Sequence, residues 1–172
     1  GYQILGMINR TFTYKDKEII VPLYKSLVRP HLDYCIQAWR PHLQKDIDII
    51  EKVQRRATKM ICSIRDFDYE KRLGMVGLTT LETRRIRADL VELCKKLHSG
   101  SVKEGDFFDR YKGRRAEAKF TRRNSCKLLK RRFKLNVAKY SFSNRVVNDW
   151  NALPNSVVNA ESVNVFKGRL DK

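Results

Sequence analysis

Apolar residues recur at intervals of three and four along the first hundred positions, the period of helices with one buried face. In residues 17–39, Ile20, Leu23, Tyr24, Leu27, His31, Tyr34, Cys35 and Ala38 mark one such face. Pro22 is tolerated in the first turns. Pro30 lacks the N–H that an interior position needs, so a kink or break is expected near Arg29, and Pro41 marks the exit. Leu43, Ile47, Ile50, Val53, Ala57, Met60 and Ile61 form a second stripe over residues 43–62. A connector over 63–78 is expected to hold a short helix at 69–73, ended by Gly74 and Gly77. A third long helix follows. Thr79 and Glu82 have capping-box spacing, Ile86, Leu90, Leu93 and Leu97 give its stripe, and Lys95, Lys96 and His98 suit its C-terminal end before Gly100.

The pattern weakens after the polar run 100–105, which reads as a linker between subdomains. Residues 125–137 alternate loosely through Cys126, Leu128, Phe133, Leu135 and Val137, so one or two short strands and a helix are both open readings. Helical spacing returns with Phe142, Val146 and Trp150, stops at Leu153-Pro154, and resumes in a last amphipathic turn at Val163, Phe166 and Leu170. The expected fold class is mainly α: a helical bundle over 1–62, a connector and long amphipathic helix over 63–104, and a basic C-terminal subdomain over 105–172. A short β-hairpin is the alternative within that last part.

Charge changes the picture most. The 172 residues carry 37 Lys and Arg against 19 Asp and Glu, a net +18. Between Arg110 and Arg145 stand fourteen bases and one acid, Glu117, so that window holds thirteen of the eighteen net charges. A block this one-sided repels itself unless a polyanion lies beside it, and nucleic acid is the expected partner rather than a membrane surface. Within it Arg114, Arg115, Arg122, Arg123, Lys127, Lys130, Arg131 and Arg132 are candidate phosphate contacts, and Tyr111 and Phe120 are candidate stacking platforms. The run Lys130-Arg131-Arg132 also has the make-up of a nuclear address. A second candidate surface lies on the helix over 43–62, where Lys52, Arg55, Arg56 and Lys59 fall on one side. Acids early in that helix (Asp46, Asp48, Glu51) and bases late in it also suit the helix dipole.

Catalytic chemistry has little to work with. Asp46 with Asp48 and Asp66 with Asp68 are the paired carboxylates a Mg2+-dependent enzyme needs, but the first pair points to two sides of a helix turn and the second sits in a polar loop. Both read as structural or solvated acids. No phosphate-binding Gly-rich loop, nucleophile elbow or zinc-protease helix is present. Cys35, Cys62, Cys94 and Cys126 lie about thirty residues apart without CxxC spacing, so they read as buried reduced thiols, and no metal, cofactor or small-molecule substrate is expected. No stretch approaches the ~20 apolar residues of a membrane span. Residues 1–10 lack a basic n-region and begin without Met, so they read as a cut edge, not a targeting signal. An intracellular location, nuclear or cytoplasmic, is expected.

Several motifs resemble one family. Leu23-Tyr24-Lys25-Ser26-Leu27-Val28-Arg29-Pro30-His31-Leu32-Asp33-Tyr34-Cys35, followed by Trp39, resembles the segment after the catalytic palm in jockey-like non-LTR (LINE-type) retrotransposon reverse transcriptases. So do Glu51-Lys52-Val53-Gln54-Arg55-Arg56-Ala57-Thr58, Tyr69-Glu70-Lys71-Arg72-Leu73 with Gly77-Leu78-Thr79-Thr80-Leu81-Glu82, and Arg145-Val146-Val147-Asn148-Asp149-Trp150-Asn151-Ala152-Leu153-Pro154, the most specific of the set. They run from about Ile4 to Leu170 in the family's order. The resemblance implies that residues 4–62 are similar to the thumb that holds the template-primer duplex. It implies that the rest is a C-terminal region positioning RNA and target DNA, and that the Mg2+-binding aspartates, fingers and endonuclease lie outside this chain. The chain is then no enzyme by itself, though its parent is an RNA-directed DNA polymerase. Arg123 stands where the family often has Gly, and the Cys-His zinc knuckle of some relatives is missing. Ile4, Leu5, Ile8 and Phe12 are the apolar residues expected to face the absent palm. The alternative reading is a helical protein-interaction domain or an inert relic of a degraded element.

Overall fold

The computed structural model describes residues 1–100, 108–109 and 126–171, and these are mainly helical. They form two compact units, Gly1–Arg85 and Ile86–Lys172. Where the sequence suggests a boundary at 100–105, the division falls within one long helix. Leu81 of that helix is buried in the first core, while Leu90, Leu93 and Cys94 are buried in the second. Two hydrophobic stretches on one uninterrupted helix give no local signal of a boundary between them. No described helix is long and apolar enough to cross a membrane.

The first unit begins with α1 (Tyr2–Thr11) and α2 (Lys17–Leu23). A π-helical turn, Tyr24–Val28, leads into α3 (Arg29–Asp33), and α4 (Ile36–Trp39) follows. The interruption expected at Pro30 is real, and its form has a consequence the spacing hid. Arg29 N–H bonds back five residues to Tyr24 O, which inserts one extra residue into the turn. The buried positions therefore shift by one. Ile20, Tyr24, Val28, Leu32 and Ile36 are buried, while Leu27, His31 and Cys35, assigned to the face by unbroken periodicity, are exposed. Tyr34 is extended, and Cys35 takes a left-handed φ of 50° at the entry to α4.

Leu5 and Ile8 of α1 are each 1% exposed within this unit's own core, alongside Ile20, Val28 and Val53. They do not wait for an absent partner, because the chain supplies its own cover. Of the four residues assigned to that role, Phe12 alone is exposed.

Helix α5 (Gln44–Lys59) carries the expected apolar stripe, with Val53 and Ala57 buried, and adds three buried polar residues, Glu51, Gln54 and Thr58. These form the polar centre of the unit. Tyr24 Oη donates to Gln54 Oε1 at 2.8 Å, and Gln54 Nε2 donates to Thr79 O at 2.9 Å. Glu51 accepts from Tyr69 Oη through Oε1 and from the backbone N–H of Leu81, at 2.9 Å, through Oε2. Burial, followed by the neighbouring Asp33 and Glu51 charges, pushes the Tyr24 phenol well above its ordinary range. Burial and the bond to Glu51 do the same to Tyr69.

Helix α6 (Tyr69–Val76) runs through Gly74 and ends at Gly77, whose φ of 61° allows Leu78 N–H to close back on Leu73 O at 3.0 Å. Helix α7 (Leu81–His98) starts from Thr80 rather than from a Thr79–Glu82 box. Thr80 Oγ1 accepts from Thr83 N at 3.1 Å, and the Glu51 carboxylate takes the Leu81 N–H, so a distant acid does the work assigned to Glu82. Arg84 Nε reaches Asp33 Oδ2 at 2.5 Å. Arg85, 1% exposed, donates from Nη2 to Leu32 O at 3.0 Å and lies 5.4 Å from the centroid of Trp39. Its Nε and Nη1 have no hydrogen-bond partner among the described residues, and burial lowers its pKa.

The second unit contains the remainder of α7 with α8 (Asn136–Lys139), α9 (Phe142–Ala152), α10 (Asn155–Val158) and α11 (Val163–Leu170). Val146, Trp150 and Phe166, picked out by helical spacing, are each no more than 2% exposed, and the Trp150 and Phe166 rings stack with centroids 5.7 Å apart. Arg145 holds the fully buried Asp89 through Nε at 2.9 Å and Nη2 at 3.1 Å.

The β-hairpin alternative does not form among the described residues. The backbone around Leu128 is extended, but it is paired by other means. Asn151 Nδ2 donates to Leu128 O and its Oδ1 accepts from Leu128 N, both at 2.9 Å, so one side-chain amide supplies what a neighbouring strand would. Trp150 Nε1 donates to Cys126 O at 3.0 Å, and Leu129 N donates to Asp109 O at 2.7 Å. The expectation of buried thiols holds for Cys94, whose pKa burial raises, and fails for Cys35 and Cys62, which are exposed, because the first follows the π-turn and the second lies past the end of α5.

Candidate nucleic-acid interface

Lys52, Arg55, Arg56 and Lys59 are all exposed, on the side of α5 opposite Val53 and Ala57. Their spacing of three and four stacks them along about two turns, as the sequence suggests. None forms an ion pair with an acid among the described residues. Two rest on aromatic rings: the Arg55 guanidinium lies 4.7 Å from the centroid of Tyr69, and that of Arg56 lies 5.9 Å from Tyr2. Such contacts hold an arginine's stem and plane while leaving its N–H fork open to an oxyanion.

The rigidity of this row comes from beneath it. Tyr69, whose ring lies by Arg55, is anchored by its hydroxyl to buried Glu51. Arg72, also near that ring at 5.6 Å, donates from Nε to Thr58 Oγ1 at 3.2 Å. The inward face of α5 therefore orients the outward one. In the motif Glu51-Lys52-Val53-Gln54-Arg55-Arg56-Ala57-Thr58, buried and exposed residues interleave: Glu51, Val53, Gln54, Ala57 and Thr58 build the fold, and the three bases face out.

The C-terminal candidates divide differently. Arg114, Arg115, Arg122, Arg123, Tyr111 and Phe120 lie outside the described residues. Lys127 is half-buried, and Lys130, Arg131 and Arg132 are exposed on an irregular segment. Arg131 is held by Asp109, with Nε at 3.0 Å and Nη2 at 2.8 Å from Oδ2. Beside them Leu129, Phe133, Leu135 and Val137 are exposed apolar residues, 44%, 39%, 74% and 88% accessible.

The acids considered for catalysis take other roles. Asp48 accepts from Gln44 at 3.0 Å, Asp66 pairs with its neighbour Arg65 at 3.8 Å, and Asp68 precedes α6, its carbonyl accepting from Arg72 N. Among the described residues no three His, Cys, Asp or Glu side chains gather as a metal site requires. Sequence reasoning missed Tyr69 as the support of Arg55, since the two are joined only by tertiary packing. Compared with family models, characterised proteins and solved structures, the chain finds no match.

Proposed function

We propose that this chain is a nucleic-acid-binding segment that grips the phosphate backbone, with Lys52, Arg55, Arg56 and Lys59 on a duplex and the basic C-terminal residues on RNA or flanking DNA. The observation that carries the reading is the exposed row of four cations on a rigid helix, without acids to neutralise it, in a chain of net charge +18. Cations so placed bind polyanions by neutralising phosphates and releasing counterions. Together with the motif resemblance, this makes the chain the thumb and C-terminal part of a non-LTR retrotransposon reverse transcriptase, holding template-primer for a catalytic palm carried elsewhere.

The test is binding of the purified chain to an RNA–DNA hybrid, duplex DNA and single-stranded RNA across a salt series. Affinity for the duplexes is expected to fall with a log–log slope of roughly −4 or steeper, at ~0.9 per phosphate neutralised. Replacing Arg55 and Arg56 together by Glu should weaken duplex binding while the helical circular-dichroism signal stays. A folded chain with a flat salt response, or unchanged affinity in that variant, discards the assignment.

A further inference from the structure

A groove of about 350 Å³ opens in the first unit where the last turn of α5 approaches the end of α1 and the α1–α2 linker. Lys15 of the linker, Arg56 and Lys59 of α5, and Arg65 of the turn after it all line this groove, with Asn9 of α1 and the thiol-bearing Cys62 between them. No acid belongs to its lining. We infer that the groove is a seat for a phosphate oxyanion, occupied by one phosphodiester group of a nucleic-acid strand lying on α5.

Helix-dipole compensation accounts for Arg56 and Lys59, which stand in the final turn of α5, where cations are favourable. It does not account for Lys15 or Arg65, which reach the same space from separate segments. Lys15 is fixed there by its own backbone, since Cys62 N–H donates to Lys15 O at 3.2 Å. Arg65 has only its neighbour Asp66, 3.8 Å away and 92% exposed, where solvent screens the pair. Four like charges around one space repel each other, and an anion within it relieves all four pairings at once. At ~30 Å³ for a water molecule, the groove has room for a phosphate group that keeps part of its hydration. The chemistry matches: arginine forks present paired N–H donors to phosphate, lysines add compact charge, and the Asn9 amide adds a neutral donor.

This inference rests on the proposed function and adds to it a discrete site built by residues off α5. Cys62 makes the site observable without mutation. The full chain is alkylated with iodoacetamide, and the rate at Cys62 is read by mass spectrometry against that at Cys35, which is exposed and lies outside the groove lining. One arm adds an RNA–DNA hybrid and the other adds inorganic tripolyphosphate. Protection of Cys62 by the hybrid, relative to Cys35, is expected at concentrations where tripolyphosphate protects weakly. The Lys15→Glu/Arg65→Glu variant is expected to lose that protection and to lower the salt slope of hybrid binding by roughly 1 to 2, at ~0.9 per phosphate contact. A hybrid that binds with Cys62 unprotected, and with a slope unaltered in the variant, overturns the seat while leaving the α5 assignment standing. Stronger protection by tripolyphosphate than by a bound hybrid overturns the strand as occupant. If the chain binds no nucleic acid, the proposed function falls, and the tripolyphosphate arm alone decides the seat: protection supports it and none overturns it.

Discussion

Arg55 and Arg56 of the first unit stand at the surface with only aromatic rings beneath them, whereas Arg87 and Arg145 of the second unit grip the carboxylates of Asp171 and Asp89. All four are helical arginines in a chain with an excess of positive charge. What separates them is the partner that folding brings within reach. Arg145 meets an acid 56 positions away and becomes part of the core, while the α5 arginines meet none and keep their charge available. The count of bases in a sequence window therefore does not measure the cation surface that a ligand meets. The window 110–145 holds most of the net charge, yet its Arg131 and Arg145 are both bound to acids.

The largest expected effect comes from breaking the second kind of pair. Asp89→Ala leaves the Arg145 guanidinium, 12% exposed, without its bidentate acceptor, and a loss of about 3–5 kcal/mol is expected in denaturant unfolding. Nucleic-acid affinity, measured where the variant remains folded, should change little. Next comes the support of the α5 row. Glu51→Ala strands the Tyr69 hydroxyl and the Leu81 N–H, at a cost of about 1–3 kcal/mol per buried group left unpaired, and it should loosen Arg55 enough to weaken duplex binding as well. An Asn151→Ala variant lacks both bonds to the Leu128 backbone and is expected to lose about 2 kcal/mol without altering binding through α5.

Alkaline titration separates the two environments in another way. Tyr24 and Tyr69 have pKa values raised by folding, so the stability they contribute is complete below the unfolded value of ~10 and declines as pH rises above it. Tyr24→Phe should flatten that decline in a thermal-melt series between pH 9 and pH 11, a window taken from the ~10 reference.

Smaller still is the effect of Arg55→Glu/Arg56→Glu on stability, expected within ~0.5 kcal/mol because these residues are exposed and unpaired with acids. Its effect on binding should nonetheless be the clearest of all. The weakest lever is Asp171, whose carboxyl Arg87 holds below its ordinary value. A depressed pKa contributes stability above the unfolded value that is lost as pH falls through the folded one. Since the Asp171 side chain is 53% exposed, screening leaves that loss near the limit of detection in acid unfolding.

The helical architecture was legible because its signal is local. Val53 and Ala57, Leu90 and Leu93, and Val146, Trp150 and Phe166 are buried where a period of three and four places them. The row on α5 was legible for the same reason, since spacing alone puts residues 52, 55, 56 and 59 on one side of a helix. The resembling motifs were legible as words, but most of their residues serve the fold. Tyr24, Gln54, Leu81, Arg145, Trp150 and Asn151 are tied into the two cores, so recognising the words does not by itself locate a binding residue.

The sequence by itself determined the mainly α class, the burial of most apolar stripes and the excess of positive charge, each of which depends on residues within a turn or two of one another or on composition. Only the tertiary structure decided three further matters. The π-turn before Pro30 moved the buried face from Leu27 and His31 to Val28 and Leu32. Glu51, spaced like an ordinary first-turn acid, became the cap of a helix 30 positions away. Lys15 and Arg65 joined Arg56 and Lys59 around one groove. Periodicity reports which side of its own helix a residue occupies, whereas hydrogen-bond partners and converging charges are set by how distant segments pack.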